Sequence, residues 1–460
     1  MSLLDADPAA AQTLARLDLL KALTGIPTAS GREHRVVAFV RQWLATRPDL
    51  VLSEDPVGNV VISFADLSPK PRGRSRSRRP RAAPPLFITA HLDHPAFVVE
   101  RVDPVARQVE LSFRGGVNEV FFDHAPIILH SAGGPTAATL VGTAPQSSHA
   151  GTHYLAEIDG PVSLALPAIG DIATWSMPGP EIDAAGILHA PACDDLAAVA
   201  AALSAIDALR EPPAANGPRP AGPRPDVRVL LTLAEEIGFI GAIAACRHKT
   251  IPRGSVVLAL ENSRAFPESP VGGGPIVRVG DRLSIFTPWL TAACSDAAEF
   301  LFRGAASLSA LQSAGHLAKR PWQRKLMAGG ACEASVFCHE GFAATCLCLP
   351  LGNYHNMPHL ERIQAGTYDA TQLGPPRCER EFIHTHDYLA LVDLLVALGR
   401  TPPVAGPASP GGDDFGHRLK KLYDERSFVL PKREPEPTRA PARRRAAQPR
   451  KRPRAGTRKR

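Results

Sequence analysis

Residues 227–241 read VRVLLTLAEEIGFIG, a short apolar run followed directly by two adjacent glutamates. The run is rich in Leu and Val and too short for a typical helix, so it predicts a buried strand that ends near Leu233. In open α/β sheets, ligands bind at the carboxyl ends of the strands, which is where Glu235 and Glu236 would lie. This stretch therefore predicts an α/β fold and marks the edge of the sheet that carries a candidate site.

Three further apolar runs end in the same way. Residues 86–90 (LFITA) precede His91, residues 256–260 (VVLAL) precede Glu261, and residues 342–349 (FAATCLCL) lead towards His355. Helical patterns lie between the runs, including an Ala- and Leu-rich stretch that begins directly after Asp194 and Asp195. Continuous apolar strands that alternate with helices are typical of a largely parallel sheet with both faces covered. We therefore predict an α/β fold with a mostly parallel sheet sandwiched by helices.

A pattern near the start of the chain predicts the beginning of a helix. Ser30 is followed three residues later by Glu33, which fits a capping box. Apolar residues then recur with helical spacing from Val36 to Leu44. We expect a helix whose first turn is capped by the side chains of Ser30 and Glu33.

The region after residue 100 has a different pattern. Residues 101–185 show apolar and polar alternation with turns and no helical spacing, which predicts a small inserted β-domain that acts as a lid or in oligomerisation. The predicted domains are a catalytic domain in two parts (1–100, with a basic insert at 69–85, and 186–400), the inserted β-domain (101–185) and a Pro/Arg-rich tail (401–460).

The net charge of +7 is an average over unlike parts. The segments 69–85 and 432–460 hold 20 of the 52 Lys and Arg residues but only 2 of the 45 Asp and Glu residues, which leaves a net charge of −11 on the rest. Both segments are rich in Pro and Arg and poor in apolar residues, so we expect them to be disordered. For the tail, a solvated segment and a weak polyanion contact both remain open.

Other sequence features concern the cellular compartment. No run of about 18 apolar residues exists, so no transmembrane helix is expected. The first ten residues, MSLLDADPAA, lack the basic and apolar regions of a secretion signal. The 8 cysteines contain no CxxC spacing and favour reduced thiols. These features predict a cytoplasmic protein without membrane contact.

The polar residues at the strand ends form a set suited to metal chemistry. Zinc binds imidazole and carboxylate ligands, and two ions can share one bridging carboxylate. Of Glu235 and Glu236, one could bind metal while the other acts as a general base, and Asp93 could orient the imidazole of His91. Each residue also has an ordinary explanation, since paired Asp is usually a helix cap and paired Glu a solvated turn. Their common order and placement favour the metal site.

Several motifs together resemble a known family. His91-Leu92-Asp93, Asp194-Asp195, Glu235-Glu236-Ile237-Gly238 and a late histidine after a strand resemble the co-catalytic metallopeptidases, nearest to the tetrahedral or glutamyl aminopeptidases, also described as endoglucanase-like peptidases. Stretches at 19–40, 55–63, 124–142 and 272–286 are also similar to that family, and the resemblance covers about residues 14–400.

The resemblance implies specific roles. His91 and Glu261 would bind one divalent ion, Glu236 and His355 would bind the other, Asp194 would bridge them, Glu235 would be the general base, and Asp93 would orient His91. The peptide bond between Asp194 and Asp195 would be cis. The two ions per subunit would be zinc, with cobalt and manganese as alternatives. The subunits would form a homo-oligomer built from dimers, up to a dodecamer.

The chain departs from the family's pattern at several positions. Leu196 stands where the family usually has Arg, and Glu261 stands where Asp is usual. The family's Arg-Tyr-x-His-Ser element is replaced by NYHN, so His359 is an alternative to His355 as the last ligand. Glu333 lies near the family's Gly-Gly-Thr-Asp element and would contact the substrate.

We therefore expect a two-metal aminopeptidase that removes N-terminal residues from short peptides. Two alternatives stay open. One is an N-acyl amino acid or amide hydrolase with the same metal architecture, which would not require a free α-amine. The other is a polyanion- or nucleic-acid-associated protein with a vestigial metal site, whose salt-dependent binding would be lost on deletion of 432–460.

Overall fold

The computed structural model describes residues 8–67, 84–144, 152–159, 167–211, 224–302, 322–404 and 420–426. The basic residues of the predicted insert at 69–85, and the basic stretch at 432–460, lie outside the described residues. The chain divides into two units, Met1–Gly412 and Asp413–Arg460, and the second is described only as a helical turn at 420–426. Within the described ranges, none of the helices has the length and hydropathy needed to cross a membrane.

Strands and helices alternate along the first unit. The strands are β1 (Leu50–Glu54), β2 (Val60–Phe64), β3 (Leu86–His91), β4 (Ala96–Asp103), β5 (Gln108–Arg114), β6 (Pro126–Ser131), β7 (Gly134–Thr143), β8 (His153–Ile158), β9 (Ile172–Trp175), β10 (Glu181–Ile182), β11 (Ile187–Ala190), β12 (Val227–Thr232), β13 (Val256–Arg264), β14 (Ile276–Asp281), β15 (Gln323–Met327), β16 (Ala343–Leu351) and β17 (Glu381–His384). The helices are α1 (Pro8–Thr24), α2 (His34–Leu44), α3 (Leu196–Ala208), α4 (Ile240–Arg247), α5 (Pro288–Phe302), α6 (Glu333–His339), α7 (Leu360–Gln364), α8 (Ala370–Leu373) and α9 (Thr385–Arg400).

An eight-stranded sheet forms the centre of this unit, in the order β1-β2-β12-β3-β13-β16-β14-β15. The four central strands, β12, β3, β13 and β16, pair in parallel. Antiparallel pairs occur between β1 and β2, between β2 and β12, and between β14 and β16. The predicted α/β class, with a mostly parallel sheet between helices, is confirmed.

Successive residues of the central strands lie on opposite faces of the sheet and belong to different hydrophobic clusters. On β3, Leu86 and Ile88 belong to the hydrophobic cluster that contains residues of α1, α3, α5 and α9, whereas Phe87 belongs to the cluster that contains residues of α4 and α6. Helix α3 is buried along almost its whole length, which explains why its sequence is Ala-rich rather than amphipathic. Burial on both faces explains the continuous apolar runs of these strands, and places their carboxyl ends at one rim.

A second sheet system closes into a barrel. The strands follow the order β4-β5-β8-β7-β6-β9. Alternate side chains fill an aromatic interior, in which the ring of Phe97 lies 4.9 Å from that of Trp175 and the ring of Phe122 stacks at 4.4 Å on that of Tyr154. The alternation seen in the sequence therefore reflects inward- and outward-facing positions of a small barrel.

Two local expectations from the sequence are wrong. Helix α2 begins at His34 after Glu33, and no side chain caps it. The Ser30 hydroxyl donates instead to Asp93 at 2.6 Å, and the Glu33 carboxylate accepts from the backbone N–H of Ala234 at 2.9 Å. Strand β13 does not end before Glu261 but continues to Arg264. Its apolar run stops early because the last residues leave the core and line a cleft.

Candidate metal centre

The candidate ligands converge at the rim of the central sheet. His91 closes β3, Glu235 and Glu236 follow β12, Glu261 lies near the end of β13, His355 follows β16, and Asp194 precedes α3. In the part of the chain that the structure describes, three groups of side chains have ligand atoms within 4.8 Å of one another: His91, Asp194, Asp195 and Glu261; His91, Glu235 and Glu236; and Asp194, Glu236 and His355. The structure therefore brings together all five predicted ligands and Glu235.

Asp194 lies between two halves of this cluster. Its Oδ1 is 3.4 Å from His91 Nε2, and its Oδ2 is 3.5 Å from His355 Nε2. His91 Nε2 is also 3.8 Å from an oxygen of Glu261, and His355 Nε2 is 3.3 Å from an oxygen of Glu236. Each imidazole thus lies near one carboxylate of its own, Glu261 for His91 and Glu236 for His355. Asp194 directs one carboxylate oxygen to each of these two pairs.

The imidazoles are oriented through their other nitrogen atoms. His91 Nδ1 lies 3.1 Å from the backbone oxygen of Asp93 and 3.5 Å from its carboxylate. His355 Nδ1 lies 2.6 Å from the backbone oxygen of Gly116, which follows β5 of the barrel. A hydrogen bond at Nδ1 fixes the tautomer that leaves Nε2 free as an acceptor. Both Nε2 atoms therefore face the cluster as metal ligands would.

The carboxylates lack the partners that buried oxygen atoms need. Asp194 Oδ1, Glu236 Oε1 and Glu261 Oε2 are buried without a hydrogen-bond donor. Such atoms are costly unless they are paired or coordinate a metal. Oxygen and imidazole donors suit zinc and related divalent ions. The residues present therefore fit a metal centre.

The charges of the cluster shift its pKa values strongly. Burial raises the pKa of Glu235 well above its usual range, and the nearby carboxylates of Glu261 and Glu236 add to this. Burial also raises the pKa of Glu261, to about 7. Burial alone would lower the pKa of His91, but Glu235 and Asp195 outweigh it and the net shift is upward. The cluster thus holds an excess of negative charge, which favours bound cations.

Asp93, which follows β3, links the end of that strand to Glu235 and Glu236. Its carboxylate accepts from the backbone N–H groups of Glu235 at 2.9 Å and Glu236 at 3.1 Å, as well as from Ser30. The two backbone hydrogen bonds hold the loop after β12, and the bond from Ser30 holds the carboxylate itself. The predicted orientation of His91 by Asp93 stays a prediction, and the structure adds this second contact with the loop.

Sequence reasoning missed several residues around the cluster. Asp195 caps no N–H of α3 and instead accepts from the backbone N–H of His91 at 3.2 Å. Glu381 is buried and accepts from the N–H groups of Cys193, Asp194 and His355 at 2.7–2.9 Å. The peptide bond between Asp194 and Asp195 is cis, as the resemblance implied. No local pattern marks Glu381, because its partners lie far away in the sequence.

Two predicted residues take positions away from the cluster. His359 is exposed and belongs to none of the three ligand groups. Glu333 is buried at the start of α6 and does not line the cleft beside the cluster, so its predicted substrate contact gains no support. Burial raises its pKa to about 7, and the nearby hydroxyl of Thr232 offsets part of this shift.

A cleft of about 400 Å³ opens beside the cluster. Glu261 and Tyr354 line it near the candidate ligands, and the last residues of β13 together with Arg278 of β14 line it further away. The Tyr354 ring stacks on the ring of His355 at 3.8 Å. The cleft therefore joins the cluster directly and can hold a small ligand there.

No protein-family model and no curated protein matches the chain. Solved structures match most of it, and they share an α/β fold described for TET aminopeptidases and a putative peptidase/endoglucanase. The resemblance predicted from the sequence is thus confirmed at the level of the fold.

Three of these structures illustrate the match. The TET aminopeptidase of a marine sediment Thaumarchaeota archaeon has a TM-score of 0.60 and 16% identity, over 85% of this chain and 98% of that one. An aminopeptidase of Desulfurococcus kamchatkensis has a TM-score of 0.59 and 18% identity, over 85% and 95% of the chains. The TET1 peptidase of Pyrococcus horikoshii has a TM-score of 0.56 and 17% identity, over 84% and 99%.

Proposed function

We propose that the chain is a metal-dependent aminopeptidase that hydrolyses the N-terminal peptide bond of short peptides. The observation that carries this proposal is the position of Asp194, which offers one carboxylate oxygen to each of two imidazole–carboxylate pairs beside an open cleft. The described fold neighbours include aminopeptidases, which supports the same reaction class.

The distances within the cluster support a proposed role for each ligand. His91 and Glu261 would hold one ion, His355 and Glu236 the other, and Asp194 would bridge the two. Bound divalent ions would supply Lewis acidity for activating a water and polarising the scissile carbonyl. Zinc is the proposed metal, with cobalt and manganese as alternatives, because all three accept these oxygen and imidazole donors.

Glu235 is the proposed general base. Its carboxylate lies close to His91 and Glu236. Neither of the two proposed ligand pairs, His91 with Glu261 and His355 with Glu236, requires it as a ligand. Its backbone N–H is held by Asp93, so the side chain starts from a fixed position. Burial raises its pKa, which favours transfer of a proton from the attacking water to Glu235 and then to the leaving amine.

The adjacent glutamates give a matched pair of variants. Glu235→Gln should leave metal content unchanged while it lowers kcat by about 100- to 10,000-fold, the usual contribution of a general base. Glu236→Gln should instead lower metal content, because it removes a ligand. Metal analysis and hydrolysis of aminoacyl arylamides measure the two effects. Full activity of metal-loaded Glu235→Gln would refute the proposed role.

The proposed assembly is a homo-oligomer. The TET1 peptidase of Pyrococcus horikoshii can assemble into a tetrahedron or a large octahedral shell. Light scattering on the purified full chain tests this, since a monomer at working concentration would contradict it. We place the protein in the cytoplasm and assign no catalytic part to the basic tail.

A further inference from the structure

His94 lies beside the candidate metal centre but belongs to none of its three ligand groups. It follows Asp93 after β3 and is 5% exposed. Its Nδ1 lies 2.5 Å from the backbone oxygen of Asp194, and its Nε2 lies 3.0 Å from the side-chain oxygen of Asn356. Both ring nitrogens thus have a partner, and neither is available to a metal ion. The imidazole instead joins the residue proposed as the bridge to the residue that follows the proposed ligand His355.

The orientation of the Asn356 amide is set by contacts on its other side. Its NH2 group donates to the backbone oxygens of Pro191 at 2.9 Å and Glu379 at 3.2 Å, and the side chain is fully buried. Because both N–H bonds are used in this way, the amide oxygen faces His94 as an acceptor. An imidazole can donate to two acceptors when each of its nitrogens carries a hydrogen. His94 and Asn356 therefore form a directional pair and do not merely pack together.

The turn that carries His355 has an unusual backbone. Asn353, His355 and Asn356 have positive φ angles of 50°, 54° and 63°, although none of them is a glycine. Left-handed backbone is unfavourable for residues with a side chain, and it persists where surrounding contacts hold it. Asn356 supplies such contacts through its amide and through its backbone oxygen, which accepts from the N–H of Glu379 at 3.0 Å. Loss of these contacts should let the turn relax and move His355.

The backbone of Asp194 is held at both of its polar groups. Its N–H donates to Glu381 at 2.9 Å, and its backbone oxygen is the partner of His94. The carboxylate is therefore left to the cluster, where one oxygen faces His91 and the other faces His355. A bridging role requires both of these distances to be kept. Contacts that fix Asp194 relative to His355 should therefore control how well the second pair holds an ion.

On the basis of the metal centre proposed above, we propose that His94 and Asn356 are a positioning pair that sets the distance between Asp194 and the turn of His355. The pair acts on the ion assigned to His355 and Glu236, which we call the His355 ion. The ligands of the other ion lie within paired strands of the central sheet and do not depend on this turn. Loss of the pair should therefore weaken one ion and spare the other.

Titration with Co²⁺ measures the two ions separately, because the absorption spectrum of this ion depends on its ligands. The wild-type full chain should bind two ions. His355→Ala is the reference, since it should keep only the ion at the other pair. His94→Ala should weaken the His355 ion by about 10- to 100-fold, and the spectrum of the ion that it retains should match that of His355→Ala. His130→Ala is the matched control, because it removes a part-buried imidazole from the barrel and should leave both ions unchanged.

A double-mutant cycle tests whether His94 acts through Asn356. Asn356→Ala should weaken the same ion. His94→Ala should then have a smaller effect in the Asn356→Ala background than in the wild type, by a factor of about 3 or more, as for residues in direct contact. Equal effects in the two backgrounds would overturn the pair.

Urea unfolding distinguishes positioning from a purely structural role. If His94→Ala lowers stability yet binds both ions with wild-type affinity, or weakens both ions alike, the assignment is wrong. His94→Gln is the milder variant, because its amide can still donate to one of the two acceptors, and it should weaken the His355 ion less than His94→Ala does. If His94→Gln fails to fold with Co²⁺ present, the residue serves the fold and the assignment is also wrong.

The same titration separates this assignment from the proposed reaction. If the selective loss of the His355 ion is found but no aminoacyl arylamide is hydrolysed, the aminopeptidase proposal fails and the positioning pair stands. If the wild type hydrolyses arylamides and His94→Ala binds two ions as the wild type does, only the positioning pair fails. A wild-type protein that binds no Co²⁺ would overturn both.

Discussion

Glu381 offers the most direct test of how the proposed metal centre is supported. One carboxylate oxygen accepts from the N–H groups of Cys193 at 2.7 Å and Asp194 at 2.9 Å, and the other accepts from the N–H of His355 at 2.9 Å. One buried side chain thus joins the segment that carries Asp194 to the turn that carries His355. We expect both stability and metal affinity to depend on it.

The magnitude follows from these three hydrogen bonds. A buried donor left without an acceptor costs about 1–3 kcal/mol, so Glu381→Ala, which leaves three such donors, should lower the free energy of unfolding by about 3 kcal/mol or more. Residues that support metal ligands typically change metal affinity by about 10- to 100-fold when they are replaced. Glu381→Ala should therefore weaken zinc binding by a factor in that range.

Glu381→Gln should act on only one half of the centre. The glutamine oxygen can still accept from Cys193 and Asp194, but its NH2 group would then meet the N–H of His355, and two donors cannot pair. We expect weaker zinc binding at His355 and Glu236 and near-normal binding at the other pair. Zinc titration against a chromophoric chelator, together with urea unfolding, measures both effects.

Glu333→Gln is the matched control for this substitution. Burial raises the pKa of both Glu333 and Glu381 to about 7, but within the described part of the chain Glu333 accepts no backbone N–H, and its one polar neighbour is the hydroxyl of Thr232. A glutamine at this position can keep the contact with Thr232 and removes a buried ionisable group, so stability should be unchanged or higher, and zinc affinity should change little. If Glu381→Gln weakens both zinc sites equally, or Glu381→Ala binds zinc normally, then the supporting role assigned to Glu381 is wrong.

Three further outcomes test other parts of the structure. Ser30→Ala removes the 2.6 Å bond to Asp93 and should lower kcat with metal content unchanged. Burial, together with the charge of Arg35, lowers the pKa of His130 to about 4 in the folded protein. In the unfolded chain the same imidazole becomes protonated below about pH 6.5, so lowering the pH favours unfolding. Up to about 3 kcal/mol of stability should be lost between pH 6.5 and 4, and His130→Gln should lose less in urea unfolding. Phe97 is fully buried in the barrel, so Phe97→Ala should lower the free energy of unfolding by about 3–5 kcal/mol in the same urea assay.

The strand ends could be predicted because their signal is local. A strand with both faces buried is largely apolar, so the end of the apolar run marks the end of the strand to within a few residues, and the titratable residues His91 and Glu235 lie there. The same rule misplaced the end of β13, where polar residues line a cleft while the hydrogen-bonded ladder continues. A change in polarity reports the end of the core, which is not always the end of the strand.

The supporting residues could not be predicted because their partners are remote in sequence. Asp93 reaches Glu235 across 142 positions, and Glu381 reaches Cys193 across 188. Motif order identifies residues that end strands, whereas buried polar networks become visible only with the fold.

Ser30 and Glu33 show how a local rule can be satisfied in sequence and unused in structure. The same hydroxyl and carboxylate that could cap α2 hold the loop after β12 instead, through Asp93 and the N–H of Ala234. Glu33 is buried, and burial raises its pKa to about 7, so its place in the interior is costly and must be offset by these contacts. An exposed capping box has no such cost. The position of Glu33 at the rim, next to the strand that delivers Glu235, is therefore better explained by support of the candidate base than by the start of a helix.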